Sequence, residues 1–161
     1  MSSPSIQSFK GAIDGFLGKE LIAVSASLYE KNGYRDEAAP LYIFLTFVGV
    51  AYGWRIGCAS DGESLLIDNQ PLQAIPMQQD GRVLVYDVSS NKIWKKLIGS
   101  RLNNVVLVTT NKEIYVIGFK LEFDADSIYV LNLGDELVVV SELPNNFIDD
   151  ENAKLISIKE E

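Results

Sequence analysis

Hydrophobic positions along this chain mostly fall in short runs broken by polar turns, and one run is much longer than the rest. From Leu41 to Ile56, LYIFLTFVGVAYGWRI, no charge occurs before Arg55. Leu41, Ile43, Leu45 and Phe47 share one period-two face, and Tyr42, Phe44, Val48, Val50, Tyr52 and Trp54 the other. Apolar residues on both faces predict strands covered on both sides. The alternative is a transmembrane helix over Ala38 to Trp54, 17 residues without charge. A bilayer needs about 20 apolar residues, and the β-branched and aromatic content, interrupted by Gly49 and Gly53, favours strands.

The same pattern sets the other elements. Ser3 and Pro4 predict a helix start, Ile6, Phe9, Ile13, Phe16 and Leu17 repeat at helical spacing, and Gly18 can close the helix. The run Leu21 to Tyr29 predicts a strand, with a helix as the alternative. The long apolar stretch divides at Gly49 into strands near Leu41–Val48 and Tyr52–Ser60, since a single strand there would greatly exceed the usual length. Asp61-Gly62 predicts a two-residue hairpin turn, and Glu63–Asn69 the returning strand. Pro71 and Pro76 mark an irregular connection, followed by a turn at Asp80-Gly81 and the strand RVLVYDV. Ser89 or Ser90 is expected to cap a short helix, KIWKKLI, closed by Gly99. Four strands follow at Asn104–Thr110, Glu113–Phe123, Ser127–Leu133 and Glu136–Glu142. In the acidic tail, 144–161, Leu155 to Ile158 can add an edge strand or fray.

The two halves echo each other. Phe16-Leu17-Gly18-Lys19-Glu20-Leu21 and Leu97-Ile98-Gly99-Ser100-Arg101-Leu102 share the form apolar-apolar-Gly-x-x-Leu, 81 residues apart. Leu41-Tyr42-Ile43 is matched with Ile114-Tyr115-Val116, and the segment Asp61 to Ile67 with Gly134 to Val140. These echoes predict pseudo-repeats at about 4–70 and 88–142, each a helix followed by a four-strand meander. The expected fold is one α+β domain over 1–161, mainly antiparallel sheet of about 8–9 strands with two helices, as a curled sheet or a partly open barrel.

Composition narrows the chemistry. With 161 residues, 47% of them hydrophobic, the chain can bury a real core. A net charge of -8 and a pI near 4.6 repel nucleic-acid phosphates and attract basic surfaces. The absence of histidine removes Ser-His-Asp, Cys-His and histidine-metal arrangements. Gly15 to Glu20 lacks the spacing and the Ser or Thr of a phosphate loop, and no GxGxxG follows a strand. The single cysteine, Cys58, is expected to be a buried, inert thiol. Carboxylate pairs at Asp61 and Glu63, Asp124 and Asp126, Asp135 and Glu136, and the triplet Asp149 to Glu151 all fall in turns or the tail, where Asp and Gly serve turn geometry.

No secretory signal pattern is read at the start, so a cytoplasmic address is expected, with no membrane or nucleic-acid partner, no cofactor and no enzymatic activity. The expected function is a non-enzymatic binding module for a basic protein, its candidate contact residues Tyr29, Tyr34, Asp36, Glu37, Asp61, Glu63, Asp135 and Glu136. In composition and fold class the chain resembles small acidic immunity or inhibitor proteins that neutralise a basic toxin or nuclease, a likeness of general type that rests on no motif. The alternatives are a small-molecule pocket between the repeats, lined by Tyr52, Trp54 and Tyr115, and a homo-oligomer with the uncharged stretch at its interface.

Overall fold

The computed structural model describes residues 6–110 and 115–159. The predicted helix start at Ser3 and Pro4, and the residues Glu113 and Ile114, lie outside the described residues. Helix α1 (Ile6–Asp14) buries Phe9 and Ile13. It is followed by β1 (Leu21–Lys31), β2 (Tyr34–Arg35), β3 (Tyr42–Phe47), β4 (Trp54–Cys58), β5 (Leu65–Asp68), β6 (Ile75–Gln78) and β7 (Gly81–Asp87). These strands form one antiparallel sheet in the order β5-β4-β3-β1-β7-β6, with β2 paired to β1. Then come α2 (Lys92–Lys95), β8 (Leu102–Thr110), β9 (Tyr115–Phe123), β10 (Ser127–Leu133), β11 (Glu136–Val140), α3 (Phe147–Asp150) and β12 (Lys154–Ser157). The second sheet, also antiparallel, runs β11-β10-β9-β8-β12.

The fold is broadly α+β and mostly antiparallel sheet, with one sheet curled as a half-barrel beside a second. The described residues form twelve strands and three helices, more than the 8–9 strands and two helices expected. Two of the added strands lie in segments read as irregular or ambiguous. Pro76 is tolerated in β6 because that strand lies at a sheet edge, where a missing donor costs no ladder bond. The tail segment at 154–157 pairs with β8 and so does add an edge strand. Neither serine caps α2: its N-cap is Asn91, without a side-chain cap bond. Ser89 instead accepts the Val24 N–H at 2.9 Å, tying the loop to β1. The Asp61-Gly62 turn is wider than two residues, since Ala59 N–H donates to the Ser64 carbonyl at 2.9 Å to close it.

The two sheets share one connectivity. In each, a helix leads into a four-strand meander, and a later strand returns to pair antiparallel with the first: β5-β4-β3-β1-β7 in one and β11-β10-β9-β8-β12 in the other. The registers also match. Leu21 faces Phe47 and Leu102 faces Phe123, and each first strand then slips by one residue, at Ile22 and at Asn103. Val24 accepts the Val88 N–H and Val105 accepts the Ile158 N–H, both at 2.9 Å. Ile43, opposite Ala26, corresponds to Phe119, opposite Leu107. The echo matching Ile43 with Val116 is therefore three residues out of register. The echo of Leu65 with Val138 is out by one, because Leu65 and Leu137 occupy the equivalent places opposite Cys58 and Asn132.

The halves meet through the segments that carry the first echo. Gly18 N–H donates to Leu102 O at 2.7 Å, and Gly99 N–H donates to Leu21 O at 2.8 Å. Leu102 N–H reaches Lys19 O and Leu21 N–H reaches Ser100 O, each at 2.9 Å, with Glu20 bridged to Arg101 at the centre. Each bond has its counterpart with the halves exchanged, so the crossing has approximate two-fold symmetry. Gly18 and Gly99 stand at φ 80° and 85°, a region costly for residues with a Cβ.

One hydrophobic cluster spans both sheets. Phe9 meets Phe119 edge-on at 5.4 Å between ring centroids, and Trp54 stacks on Phe16 at 5.5 Å. The expectation that the long apolar stretch is covered on both faces is corrected here. In β3 only Ile43, Leu45 and Phe47 are buried, while Tyr42, Phe44 and Thr46 are half-buried on the outer face. That face is shielded by the ring-filling of glycine gaps: a Cβ at Gly53 would lie 2.1 Å from Phe44 Cε1, and one at Gly57 2.4 Å from Tyr42 Cδ1. The membrane-helix alternative fails because the stretch forms β3, a turn at Gly49 and the start of β4.

Two predictions follow from this packing. Leu45→Asp places an unpaired charge in a fully buried site and is expected to abolish the folded state by circular dichroism, whereas Phe44→Asp on the outer face leaves a folded, weakened protein. Gly18→Ala and Gly99→Ala, whose added methyl groups would meet nothing closer than 3.8 Å, should each cost about 1–2 kcal/mol in urea denaturation through backbone strain alone. Unequal costs would show that the two crossings are not equivalent.

Candidate functional site

The turns at one end of the meanders carry most of the predicted acidic contacts. The β4–β5 turn is built by Asp61, whose Oδ1 accepts the Glu63 and Ser64 N–H groups at 2.8 Å. This is local turn chemistry of the kind Asp provides. The equivalent β10–β11 turn passes through Gly134 at φ 59° and Asp135 at φ 68°. Buried Asn132 links the two turns: its Nδ2 donates to Ser64 O at 2.9 Å and its Oδ1 accepts the Asp135 N–H at 2.9 Å. A buried amide satisfied at both ends holds two loops in one arrangement.

Beside these turns lies a hollow of about 560 Å³ lined by Tyr29, Asp36, Tyr42, Cys58, Asp135 and Glu136, among others. Four of the eight predicted contact residues thus converge: Tyr29 from β1, Asp36 from the loop after β2, and Asp135 and Glu136 from the β10–β11 hairpin. No lysine or arginine occurs among the described lining residues. The electrostatic consequence is read on Cys58. Its thiol is pushed up to about 11, first by burial and then by the charges of Asp135, Asp61 and Glu136. Cys58, expected to be buried, is half-buried at the wall of this hollow, and the raised thiol is protonated at neutral pH.

Glu63 faces a neighbouring hollow of about 530 Å³ with Thr110, Asn132, Asp150 and Glu151. The tail acids Asp150 and Glu151 extend the negative surface; their clustering with Glu63 depends on α3 folding back, which no local pattern announces. Glu37 is turned away into a salt bridge with Arg35 at 2.8 Å, and Tyr34 is 71% exposed on β2, outside the hollow. Of the three predicted pocket residues, Tyr52 and Trp54 line one hollow between α1 and the β4–β5 pair, and Tyr115 lies apart from them. Trp54 is fully buried in the main core, Tyr52 is exposed above Phe16, and Tyr115 packs against a separate cluster with Val108, Ile117, Leu131 and Phe147. A hollow does lie between the two halves, about 340 Å³, lined by Leu28, Ile43, Ile93, Trp94 and Val138 to Val140. None of the three predicted pocket residues is among its described lining.

Among the described residues no group of three or more Cys, Asp or Glu side chains is placed to hold a metal ion. Among them, no helix is long and apolar enough to cross a membrane. Compared with protein-family models, curated proteins and solved structures, the chain shows no match in any of the three.

The raised thiol sets a pH test. In the folded protein the rate of Cys58 alkylation by iodoacetamide should rise with a midpoint of about 11, against 9.0 for the ordinary thiol of the unfolded chain. Because the folded value is the higher, the stability contributed by the protonated thiol is complete below the ordinary value. It is lost as pH climbs from 9.0 to about 11. A native midpoint at the ordinary value would remove Cys58 from the acidic surroundings described above.

Proposed function

We propose that the protein is a non-enzymatic binding module whose acidic end receives a basic protein. The observation that carries this reading is the convergence of Asp36, Asp135 and Glu136 on one hollow, with no cation among its described lining residues. Charge of one sign over a concave surface steers a partner of the opposite sign and sets orientation more than it adds affinity. Glu63, Asp150 and Glu151 continue the field into the adjoining hollow. The net charge of -8 supports the same polarity at long range. The tie through Asn132 favours rigid docking, since the acidic turns need no ordering when a partner arrives. Aromatic Tyr29 and Tyr42 in the same hollow supply contact area of the type enriched at interfaces.

The scaffold beneath this surface is, in our reading, an internal duplication of a helix and a meander. The shared connectivity, the shared slip after Leu21 and Leu102, and the reciprocal bonds of Gly18 and Gly99 support it. The residues beneath the acidic turns, however, are not duplicated. The place of Gly57 in β4 is taken by Leu131 in β10, and that of Cys58 by Asn132. One copy contributes the thiol floor and the other the buried amide that fastens the turns.

The test is retention of basic proteins from the native cell on the immobilised chain. A defined basic protein is expected to bind at low salt and elute as salt rises, and the variant Asp36→Asn/Asp135→Asn/Glu136→Gln is expected to lose it. A control removing the same charge elsewhere, Asp14→Asn/Asp80→Asn/Glu142→Gln, should retain it. Equal loss in both variants would reduce the effect to net charge, and undiminished binding by the first variant would equally overturn the assignment of this surface.

A further inference from the structure

The hollow of about 340 Å³ between the two halves adjoins the acidic one. Pro40 lines both, and β11 runs past both, with Asp135 to Leu137 in the acidic hollow and Val138 to Val140 in the other. Apart from Glu37 and Asn91, both exposed, the described lining of the second hollow is apolar. Its volume meets the lower bound of about 300 Å³ for binding pockets.

The strand between these hollows has a free edge. β11 ends its sheet and pairs only with β10. The hairpin closes at Leu133 and Glu136, and an antiparallel ladder alternates from there, so Leu137 and Val139 direct their N–H and C=O groups away from β10. Leu137 is 2% exposed, which closes its groups off. Val139 is half-buried and lines the apolar hollow, and no hydrogen bond among the described residues engages it on that side. From Leu137 to Val140 the edge carries neither charge nor proline, the usual guards of an exposed strand. A free strand edge beside a pocket is how extended peptides are received, the backbone giving affinity and the pocket specificity.

Charge selects among such segments. Asp36, Asp135 and Glu136 stand beside this edge, and neither hollow has a lysine or arginine among its described lining residues. A second copy of this chain, at a net charge of -8, is repelled, and a basic segment is attracted. We infer that the basic partner is held through an extended segment that pairs with β11 at Val139, sets an apolar side chain in the hollow beside Leu28, Ile43 and Trp94, and places a lysine or arginine three residues further on against Glu136. The register follows from the ladder. A residue exchanging both hydrogen bonds with Val139 shares its face, and Val139 packs toward the main core, as do Leu28, Ile43 and Trp94. Three residues on, about 10 Å along an antiparallel strand, the segment lies opposite Glu136 and on its face. This inference rests on the reading of the acidic end and adds the shape and pattern of what that end receives.

The probe is a capped eight-residue peptide, threonine throughout except for leucine at its third position and lysine at its sixth and seventh. It is expected to move the Val139 amide resonance of the full chain saturably downfield in ¹H–¹⁵N spectra. Serine for the leucine, or glutamine for both lysines, is expected to weaken binding about tenfold or more. Val139→Pro removes the donor without breaking a ladder bond, and Ala38→Trp adds bulk at an exposed position lining the hollow; each should weaken the peptide to the same degree in a folded chain. Shifts confined to Asp135 and Glu136, with the serine peptide bound equally well, would overturn the pairing at β11 and leave the acidic reading standing. No shift with any peptide, or undiminished binding by either folded variant, would also overturn it, and retention of basic proteins then decides the acidic reading separately. A Val139 shift on concentrating the chain alone would give the edge to a second copy and overturn the inference.

Discussion

The reciprocal crossing at Gly18–Leu21 and Gly99–Leu102 is the constraint on which the rest of the molecule depends. Four backbone hydrogen bonds of 2.7–2.9 Å join the start of one meander to the start of the other. Backbone groups buried where sheets meet must be paired, and here each half satisfies the other. The strands leave this crossing already in register, because Val48 N–H donates to Glu20 O at 2.8 Å and Asp124 N–H donates to Arg101 O at 3.0 Å immediately beside it. A single half would expose both the unpaired start of its first strand and the apolar face of its sheet. The core therefore belongs to the pair: Phe9 of the first half lies on Phe119 of the second, and Trp54 lies between Phe16 and Phe119.

Symmetry at the crossing relaxes toward the far ends of the sheets, and this is where the halves differ chemically. The spacing between equivalent residues falls from 81 for Gly18 and Gly99 to 70 for Val88 and Ile158. The difference is absorbed in turns and connections. The first half inserts β2 and β6, while the second uses α3. Added loops are tolerated at little cost when the strands they join are fixed elsewhere. Variation is thus concentrated in the segments that form hollows. The loop after β2 reaches the β10–β11 hairpin at one end, and the C-terminal part of α1 lines a hollow with β4 and β5 at another.

Local chemistry explains which of these features were readable in the sequence. The strands from β8 to β11 are apolar runs bounded by turn residues, so their positions follow from punctuation, although β8, β9 and β10 each bury three or four consecutive residues. The sequence placed Gly18 and Gly99 at helix ends; the helices stop earlier, at Asp14 and Lys95, and the glycines take the left-handed turn beyond them, which glycine reaches at low cost. Their partners were not legible, since nothing local distinguishes a glycine closing its own helix from one donating to a strand 84 residues away, as Gly18 does to Leu102. The apolar outer face of β3 misled for a related reason. Tyr42 and Phe44 are apolar in composition, yet they serve as covers over the backbone at Gly57 and Gly53. Period-two reasoning cannot separate a residue buried in a core from one that lies over a neighbouring strand. For the site, Asp36, Asp135 and Glu136 were identified by charge and turn position, but their meeting with Tyr29 and Cys58 depends on strand order.

The same distinction bears on how an acidic surface stays folded. Like charges gathered at one end repel and favour unfolding, so the turns that carry them need bonds independent of charge. Asp61 is spent on its own loop, and Asn132 ties that loop to the next through neutral hydrogen bonds that salt does not screen. Leu65 and Leu137, fully or almost fully buried at equivalent places, anchor the strand directly after each turn. Asp135 and Glu136 are thereby released from structural duty, and their charge is available to whatever approaches the hollow. An acid engaged in building its turn and an acid held out by a turn look identical in sequence. The hydrogen bonds around Asp61 and Asp135 are what separate them.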